Sequence, residues 1–503
     1  MEWPQLRSLL DSGFINAQRG LDDTTHRDMN LLGKILEALL KSAMSDAADP
    51  NDQEIAEKLK QAVDGMQEGI DVGFNKQLKV LFPAFSLFGY PGLTDPQLLT
   101  ETNLDMQRLL KDHTKVHYAG INGIHLPEAY NGLGVRNLIF ILLKLLEFFK
   151  AFKTMPTAPG IHLVFIEEPE VHLHPQMQEV FISKLSSIAE LFATKFNEGN
   201  AWPVQFIVTT HSSHLANKAQ FDSIRYFQAT SEEGTGKPCS TRIKDLREGL
   251  GGTPPADRDF LHKYMTLTRC DLLFADKAIL IEGTTERLLL PKMIEKVDAE
   301  TAEGPRLSSQ YVSVIEVGGA YAHLFFHLLS FLDLRTLIIT DLDTVNGSEH
   351  RKSCRVSEGT HTSNACITSW FDDAAITPPS LTAKSDEEKT NGIRRLAYQI
   401  PESEGVCCGR SFEDAFMLAN PEIFELRGGS EQEREAEAWE KAEGLGKTKT
   451  EFALKYAIET TEWKTPRYIA EGLRWLRDAP SDLTQAQSDA DDSNSSQQED
   501  VNA

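Results

Sequence analysis

The sequence predicts an α/β protein in which two separate stretches each build a parallel sheet. In both stretches, short apolar runs typical of strands alternate with longer segments whose apolar residues recur at helical spacing. The predicted strands also end in polar or acidic residues, and ligands bind at the carboxyl ends of strands in sheets of this kind. The first stretch covers residues 160–219 and the second residues 277–420.

The first stretch carries two glutamates at the end of one predicted strand and a histidine at the end of the next. GIHLVFIEE runs into Glu167 and Glu168, an amphipathic helix follows, and QFIVTTH ends at His211. An acid that holds Mg²⁺, a neighbouring carboxylate that positions water and a residue that senses phosphate are the groups that nucleotide hydrolysis requires. We therefore expect this edge of the sheet to be a nucleotide site.

A glycine-containing turn precedes a long apolar helix just upstream of these strands. Asn131, Gly132 and Gly134 form this turn, and a helix N-terminus preceded by glycines is an anion-binding arrangement. Such turns are common, so the turn alone is weak evidence. Its order and spacing relative to the two strand ends make it a candidate nucleotide contact.

The second stretch places acids at successive strand ends. The strand KAILI ends at Glu282, and Glu286 lies in the first turn of the helix that follows, so both carboxylates should point into one crevice. The strand RTLIIT ends in Asp341 and Asp343, which the two-residue period of a strand would place on the same side. Further along the chain, GRSFEDAF adds Glu413.

Carboxylates that converge in one cleft stay ionised only if cations lie among them, and Mg²⁺ or Mn²⁺ prefer such oxygen ligands. A single D-x-D or E-x-x-x-E is usually a solvated surface pattern. Acids at successive strand ends instead favour a metal site for phosphodiester chemistry, with a two-metal arrangement within reach.

These motifs resemble those of a known family. LIEGTTE, the pair Gly318-Gly319 and TDLD are similar to the TOPRIM domain of topoisomerases, primases and nucleases, and GRSFEDAFMLAN with KTKTEFALKY looks like the variant in the overcoming-lysogenization-defect (OLD) nucleases. The resemblance implies metal-ligand or general-base roles for Glu282, Glu286, Asp341, Asp343 and Glu413. It also implies that a lysine, Lys449 in preference to Lys447, stabilises charge on the scissile phosphate.

The upstream motifs resemble ATP-binding-cassette ATPases of the SMC, RecF and OLD groups. The resemblance implies that ATP is a cofactor, that Glu167 is the metal-associated acid, Glu168 the catalytic carboxylate and His211 the switch residue. Asn131, Gly132 and Gly134 match the signature loop, which contacts the nucleotide of the opposite subunit.

A phosphate-binding loop of the form G-x-x-x-x-G-K-[ST] is absent from the sequence. The one Gly-Lys-Thr, at 446–448, lies in a polar helical stretch and is rejected as such a loop. FINAQRGLDD near the N-terminus looks like the middle of the OLD ATPase lobe, so we expect the part that holds the loop to be missing. This chain by itself should then bind ATP poorly.

The predicted organisation is a partial ATPase domain at 1–265 with a helical arm at about 31–110, a TOPRIM domain at 272–478 and a disordered acidic tail at 479–503. No apolar stretch reaches membrane length, and no signal peptide is recognisable. The six cysteines contain no C-x-x-C pair, which excludes a zinc ribbon and favours a reducing cytoplasm. The net charge of −24 argues against DNA binding by the whole surface but not by a local groove.

The expected function is a divalent-metal-dependent DNA endonuclease whose ATPase-type lobe serves dimerisation and regulation. Family membership also implies a homodimer, a bacterial setting, a role in antiviral defence against phage and, in some members, a helicase partner. One alternative is a degenerate regulator, bound to DNA or to a partner, that has lost ATPase activity. The other is a topoisomerase or primase, for which the chain offers neither a further DNA-gate domain nor a zinc module.

Overall fold

The computed structural model describes two units, residues 1–218 and 219–503, each of which makes most of its contacts within itself. The residues described are 9–17, 31–86, 101–106, 109–110, 117–119, 125–127, 132–157, 159–230, 240–249, 258, 260–261, 263–264, 271–300, 304–347, 352–460 and 462–478. The predicted disordered tail at 479–503 and the candidate Asn131 lie outside the described residues.

The first unit is built on a three-stranded parallel sheet in the order β1–β4–β5, in which Ile15 pairs with Ile166 and Ile166 with Val208. Its described elements are β1 (Leu10–Ile15), α1 (Leu31–Ala43), α2 (Pro50–Ser86), β2 (His117–Ala119), β3 (His125–Pro127), α3 (Leu133–Lys153), β4 (Ile161–Glu167), α4 (Pro175–Phe196), β5 (Val204–Thr209) and α5 (Ser213–Lys218). The helical arm expected at 31–110 therefore contains α1 and the 37-residue α2.

Aromatic packing holds α3 and α4 against this sheet. Phe149 on α3 lies 5.4 Å from Trp202 and 5.8 Å from Phe192 between ring centroids, and all three side chains are buried. Buried rings of this size contribute much of the apolar area that stabilises a domain core. The helices thereby fix the strands whose carboxyl ends carry Glu167 and His211.

The second unit contains a five-stranded sheet in the order β14–β15–β10–β8–β9, in which β15, β10, β8 and β9 run parallel and the edge strand β14 is antiparallel. Its strands are β6 (Arg225–Thr230), β7 (Ser240–Asp245), β8 (Lys277–Ile281), β9 (Val312–Glu316), β10 (Arg335–Ile339), β11 (Thr344–Asn346), β12 (Lys352–Ser353), β13 (His361–Thr362), β14 (Thr390–Asn391) and β15 (Arg394–Ala397). Its helices are α6 (Leu246–Gly249), α7 (Thr284–Ala299), α8 (Phe326–Leu332), α9 (Ala365–Phe371), α10 (Pro378–Thr382), α11 (Phe412–Ala419), α12 (Glu431–Leu445), α13 (Lys449–Leu454) and α14 (Arg467–Arg477).

The interior strand β8 is buried along its whole length, which explains why its sequence is a continuous apolar run. Helix α7 covers one part of the sheet with Leu289 and Met293, which are buried as the helical spacing predicts. Helix α14 covers β10 closely, because a Cβ at Gly472 would lie 2.7 Å from Leu337 Cδ1. The strands whose ends carry the acids are therefore part of a closely packed core.

The segment between β10 and β14 contains short elements. There β11, β12 and β13 form a small antiparallel sheet, and α9 and α10 follow. Gly446–Thr448 is a 3₁₀ turn between α12 and α13, so the Gly-Lys-Thr there follows a helix and not a strand. No described helix is both long and apolar enough to cross a membrane.

The hairpin of β6 and β7 lies before the predicted domain boundary at 265, yet its contacts are with the second unit. Lys244 on β7 donates to the carbonyl of Phe331 at 2.7 Å and to the Asp333 carboxylate at 2.6 Å. The predicted limits 1–265 and 272–478 remain a proposal, and these contacts favour grouping the hairpin with the second unit.

Candidate metal and phosphodiester site

Glu282 lies where β8 ends, beside the end of its neighbour β10. Its Oε1 accepts hydrogen bonds from Thr340 Oγ1, from the Asp341 backbone N–H at 3.1 Å and from Asn364 Nδ2 at 2.9 Å. Adjacent parallel strands bring their carboxyl ends together, so residues far apart in sequence meet here. The predicted proximity of Glu282 and Asp341 is therefore present in the structure.

Asp341 is oriented by a glutamine from the next strand over. Gln399, which follows β15 and is fully buried, donates from Nε2 to Asp341 Oδ1 at 2.6 Å and accepts the Leu342 N–H at 2.7 Å. The same Nε2 lies 3.3 Å from the hydroxyl of Tyr468. One amide thus holds both the side chain and the backbone of the Asp341 loop.

Asp343 does not follow the two-residue period that the sequence suggested. Strand β10 ends at Ile339, and Asp343 has a φ of 47°, a left-handed conformation that interrupts extended alternation. Its Oδ1 pairs with Arg410 Nη2 at 2.9 Å. The expectation that strand geometry alone aligns Asp341 and Asp343 is therefore wrong.

Glu286 and Glu413 approach the same edge from helices. Glu286 lies in the first turn of α7 and Glu413 in the first turn of α11, and both are buried. Glu413 Oε1 accepts from Thr285 Oγ1 at 3.3 Å, and its Oε2 lies 3.0 Å from Lys449 Nζ. Of the two candidate lysines, Lys449 is thus the one paired with an acid of this cluster.

The next residue, Asp414, has a structural role. Its carboxylate accepts the backbone N–H groups of Arg410 and Ser411, each at 2.7 Å, and completes a capping box with Ser411 at the start of α11. Such a box satisfies N–H groups that a helix start leaves unpaired. It fixes the first turn of α11 and with it the position of Glu413.

The electrostatics of the cluster show that its negative charges repel one another at close range. Burial, and then the charges of Glu282, Glu286, Asp343 and Glu413, hold the pKa of Asp341 well above its usual value. Burial, followed by the charges of Glu413 and Glu282, raises the pKa of Glu286 to about 8. Burial also raises the pKa of Glu282, although three hydrogen bonds oppose that shift.

Lys449 is a cation that pairs with an acid of this cluster. Burial alone would lower its pKa, but the carboxylates of Glu413, Asp341 and Glu286 together raise it above the usual value. A lysine whose pKa is raised in this way stays charged at neutral pH, about half exposed and facing the acids.

The donor set fits a hard divalent ion, since all five acids offer oxygen and three have pKa values raised by burial and mutual repulsion, which a cation relieves. Within the described part of the chain, no three His, Cys, Asp or Glu side chains are gathered closely enough to enclose an ion. Three of the acids instead pair with side chains of the protein that donate hydrogen bonds. Glu282 pairs with Asn364, Asp343 with Arg410 and Glu413 with Lys449. Metal ligation by these acids therefore remains a prediction.

Three polar residues of the site were missed by the sequence reasoning: Asn364, Gln399 and Arg410. Gln399 had a signal, because it is the polar residue at a strand's carboxyl end, in RLAYQIP. Arg410 lies within the GRSFEDAF motif, but only its acids were considered. Asn364 had no local signal, since it lies 23 residues beyond Asp341 within the inserted segment.

The first unit brings its own predicted residues together at the ends of β4 and β5. Glu168, with a φ of 40°, donates its N–H to the Thr209 carbonyl at 3.0 Å, and its Oε1 lies 3.5 Å from His211 Nε2. Glu167 Oε2 accepts the Ala17 N–H at 3.2 Å. His211 is exposed and Glu168 is half-buried, so a ligand can reach this edge of the sheet.

The glycine turn packs against the same region. Gly132 precedes α3, and a Cβ at Gly134 would lie 2.5 Å from the His172 carbonyl oxygen, so only glycine fits there. Asn137, one turn later, donates to the carbonyls of Pro169 and Val171 at 3.2 and 2.7 Å. The start of α3 is thereby tied to the loop that follows Glu168.

Comparisons with known proteins agree with both halves of the chain. Residues 5–216 match the model of an AAA ATPase domain, and residues 273–343 match the model of the TOPRIM domain of overcoming-lysogenization-defect-like proteins. The second match contains Glu282, Glu286, Asp341 and Asp343.

Curated relatives are named as nucleases. Endonuclease GajA of Bacillus cereus (strain HuB5-5) is 29% identical over 419 residues, which are 76% of this chain and 58% of the relative. Old nuclease of Escherichia phage P2 is 25% identical over 344 residues, 66% of this chain and 53% of the relative. OLD nuclease of Thermus scotoductus is 25% identical over 219 residues, 43% of this chain and 36% of that protein.

The matched part of the chain thus spans about half the length of the first two of these relatives. The regions that match the two domain models nevertheless follow the order that the motifs predicted, with an ATPase domain before a TOPRIM domain of the OLD type. In this combination of domains and relatives, the chain is similar to nucleases of the OLD family.

Proposed function

We propose that this protein is a divalent-metal-dependent endonuclease that hydrolyses phosphodiester bonds in DNA. The observation that carries the proposal is the cluster of five carboxylates and one lysine at the carboxyl edge of the second unit's sheet, where burial and like charge raise the pKa values of three acids. The relatives are named endonuclease and nuclease, which supports the same reaction class.

The residues that would hold Mg²⁺ or Mn²⁺ are Glu282, Glu286, Asp341, Asp343 and Glu413. Bound divalent ions supply Lewis-acid chemistry, which polarises the phosphate and makes water a better nucleophile. The chain's contribution is to present oxygens in fixed positions: Gln399 orients Asp341, and Asn364 and Thr340 hold Glu282.

Glu286 is the leading candidate for the general base, with Glu282 the alternative. In the metal-free protein, burial and the charges of Glu413 and Glu282 raise the pKa of Glu286 to about 8, and a divalent ion among these acids would favour the deprotonated form that a general base requires. Lys449 Nζ lies 3.0 Å from Glu413 Oε2 and is half exposed, so it could stabilise negative charge on a phosphate that enters the cleft.

An acidic cleft repels a phosphate backbone until cations neutralise it. The chain's net charge of −24 reinforces that barrier, so activity should depend steeply on divalent ion. This dependence separates the proposed enzyme from a scaffold that binds DNA through basic residues.

The deciding experiment incubates supercoiled plasmid with the full chain and Mn²⁺. We expect nicking that disappears in Glu282→Ala and in Asp341→Ala, because each variant removes an oxygen donor from the cluster. Glu295→Ala, an exposed acid on the same helix as Glu286, should nick like the wild type. Nicking that survives in both site variants would contradict the proposal, and a wild type without nicking under any divalent ion would favour the degenerate regulator.

The first unit would serve regulation and dimerisation in this proposal. Glu167, Glu168 and His211 would act on ATP, together with Gly132 and Gly134. Asn131 belongs to the same predicted loop. A homodimer, a helicase partner and a role in phage defence remain predictions from the resemblance to this family.

A further inference from the structure

Asn364 connects the candidate site to a part of the chain outside the sheet. It lies in the segment between β10 and β14 that also forms β11, β12, β13, α9 and α10. Its side chain is buried, with 1% of its surface exposed, although it is polar. Buried amides are stable only when their hydrogen bonds are made, so the partners of this side chain are informative.

The two ends of the Asn364 amide make different contacts. Its Oδ1 accepts the N–H groups of Cys366 at 2.9 Å and Ile367 at 3.3 Å, which caps the N-terminus of α9. Its Nδ2 lies 2.9 Å from each of three oxygens, Glu282 Oε1, Thr340 Oγ1 and the Asp341 carbonyl. One side chain therefore joins the inserted helix to the ends of β8 and β10.

The residues just before Asn364 strengthen this connection. Thr362 Oγ1 donates to the Leu342 carbonyl at 2.6 Å, and the Ser363 N–H donates to the Asp343 carbonyl at 3.0 Å. Residues 362–364 thus run beside residues 341–343 and bond to each of them. The loop that carries both aspartates is held by the inserted segment as well as by the sheet.

We propose that Asn364 is a positioning residue, which fixes Glu282 and the Asp341 loop for divalent-ion binding and so makes metal affinity depend on the inserted segment. This inference rests on the proposed function of the site. Asn364 contacts the candidate ligands and not the substrate, so its effect is on their geometry. Partners that orient metal ligands typically change metal affinity by about 10- to 100-fold when they are removed.

Asn364→Ser separates this role from helix capping. Serine caps helices about as well as asparagine, so α9 keeps its cap, but the shorter hydroxyl cannot replace the Nδ2 contacts. We expect the Mn²⁺ concentration that gives half-maximal nicking to rise about tenfold, with most of the rate restored at saturating Mn²⁺.

A second measurement needs neither metal nor activity. Hydrogen exchange in EDTA should show faster exchange in peptides that contain the Asp341 N–H, because that group donates to the Glu282 oxygen that Asn364 holds. Asn364→Asp, close to the native shape and equally able to cap α9, should give the same increase if the serine variant folds poorly.

Asn420→Ser is the matched control. Asn420 is also buried and donates from Nδ2 to two carbonyls, but these belong to Phe416 and Lys464, which are not among the candidate ligands. It should leave both the Mn²⁺ dependence and the exchange around Asp341 unchanged. Wild-type Mn²⁺ dependence together with wild-type exchange in Asn364→Ser would overturn the inference. Faster exchange with no nicking by the wild type would instead count against the nuclease proposal alone.

Discussion

At the scale of single residues, the candidate site is dominated by acids that the protein keeps close together against their mutual repulsion. Glu286 shows this most clearly, since burial and the charges of Glu413 and Glu282 raise its pKa to about 8. The unfolded chain would give this glutamate its usual pKa of about 4.3. Its protonation therefore links folding to pH.

Because the folded pKa is the higher one, the stability that Glu286 contributes is fully present below its unfolded pKa and is lost as pH rises through about 8. We expect the melting temperature of the metal-free protein in EDTA to fall between pH 6 and pH 9. In Glu286→Gln, which does not ionise, this fall should be shallower. An equal fall in both proteins would contradict the assignment of the raised pKa to Glu286.

Lys449 and Lys447 provide a matched pair of lysines two residues apart. Lys449 Nζ lies 3.0 Å from Glu413 Oε2, whereas Lys447 is exposed in the 3₁₀ turn that precedes α13. If Lys449 stabilises charge that develops on the phosphate, Lys449→Ala should slow nicking at saturating Mn²⁺ by about 100-fold. Lys447→Ala should stay near the wild-type rate, and equal losses in the two variants would indicate a general electrostatic effect on DNA binding.

At the scale of secondary-structure elements, strand ends were the part of the site that the sequence predicted best. An apolar run such as KAILI is typical of a buried strand, and the position where this strand ends was enough to locate Glu282. The end of β10 was predicted correctly as a location, but Asp343 turned out to adopt a left-handed backbone that no two-residue period describes. Contacts of Asn364 and Arg410 depend on loop paths, which local pattern does not determine.

Helix α14 illustrates a packing constraint that stabilises this sheet. A Cβ at Gly472 would lie 2.7 Å from Leu337 Cδ1 on β10, too close without movement of the helix. Gly472→Ala should therefore lower the free energy of unfolding of the second unit by about 1–3 kcal/mol, as overpacking does. Chemical denaturation followed by tryptophan fluorescence would measure it.

The control for this substitution is Gly444→Ala on α12, where a Cβ would meet nothing within 4 Å. Alanine favours helix more than glycine, so this variant should be neutral or slightly stabilising. A stable Gly472→Ala protein would mean that α14 can move away from β10 at little cost. In that case Tyr468, which contacts Gln399 from the same helix, would contribute little to the position of Asp341, the acid that Gln399 orients.

At the scale of the whole molecule, the chain combines two sheets whose carboxyl edges carry different sets of acids. The edge in the second unit carries five carboxylates and Lys449, whereas the edge in the first unit carries the half-buried Glu168 and the exposed His211, whose side chains lie 3.5 Å apart. The order of these units was predictable from the sequence, because each motif follows a recognisable strand. Experiments with nucleotide test whether the first unit changes the activity of the second.

The sequence contains the acids and the histidine of an ATPase site but no G-x-x-x-x-G-K-[ST] loop, which supplies most of the contacts to nucleotide phosphates. We therefore expect calorimetry to detect no tight ATP binding by the purified 503-residue chain. We also expect ATP to leave plasmid nicking unchanged when free Mn²⁺ is held constant, since ATP otherwise lowers activity by chelation. Glu168→Gln should nick like the wild type under both conditions. If ATP stimulates nicking and Glu168→Gln abolishes that stimulation, the edge beside His211 binds and uses nucleotide without the loop. The first unit of this chain would then regulate nicking by itself.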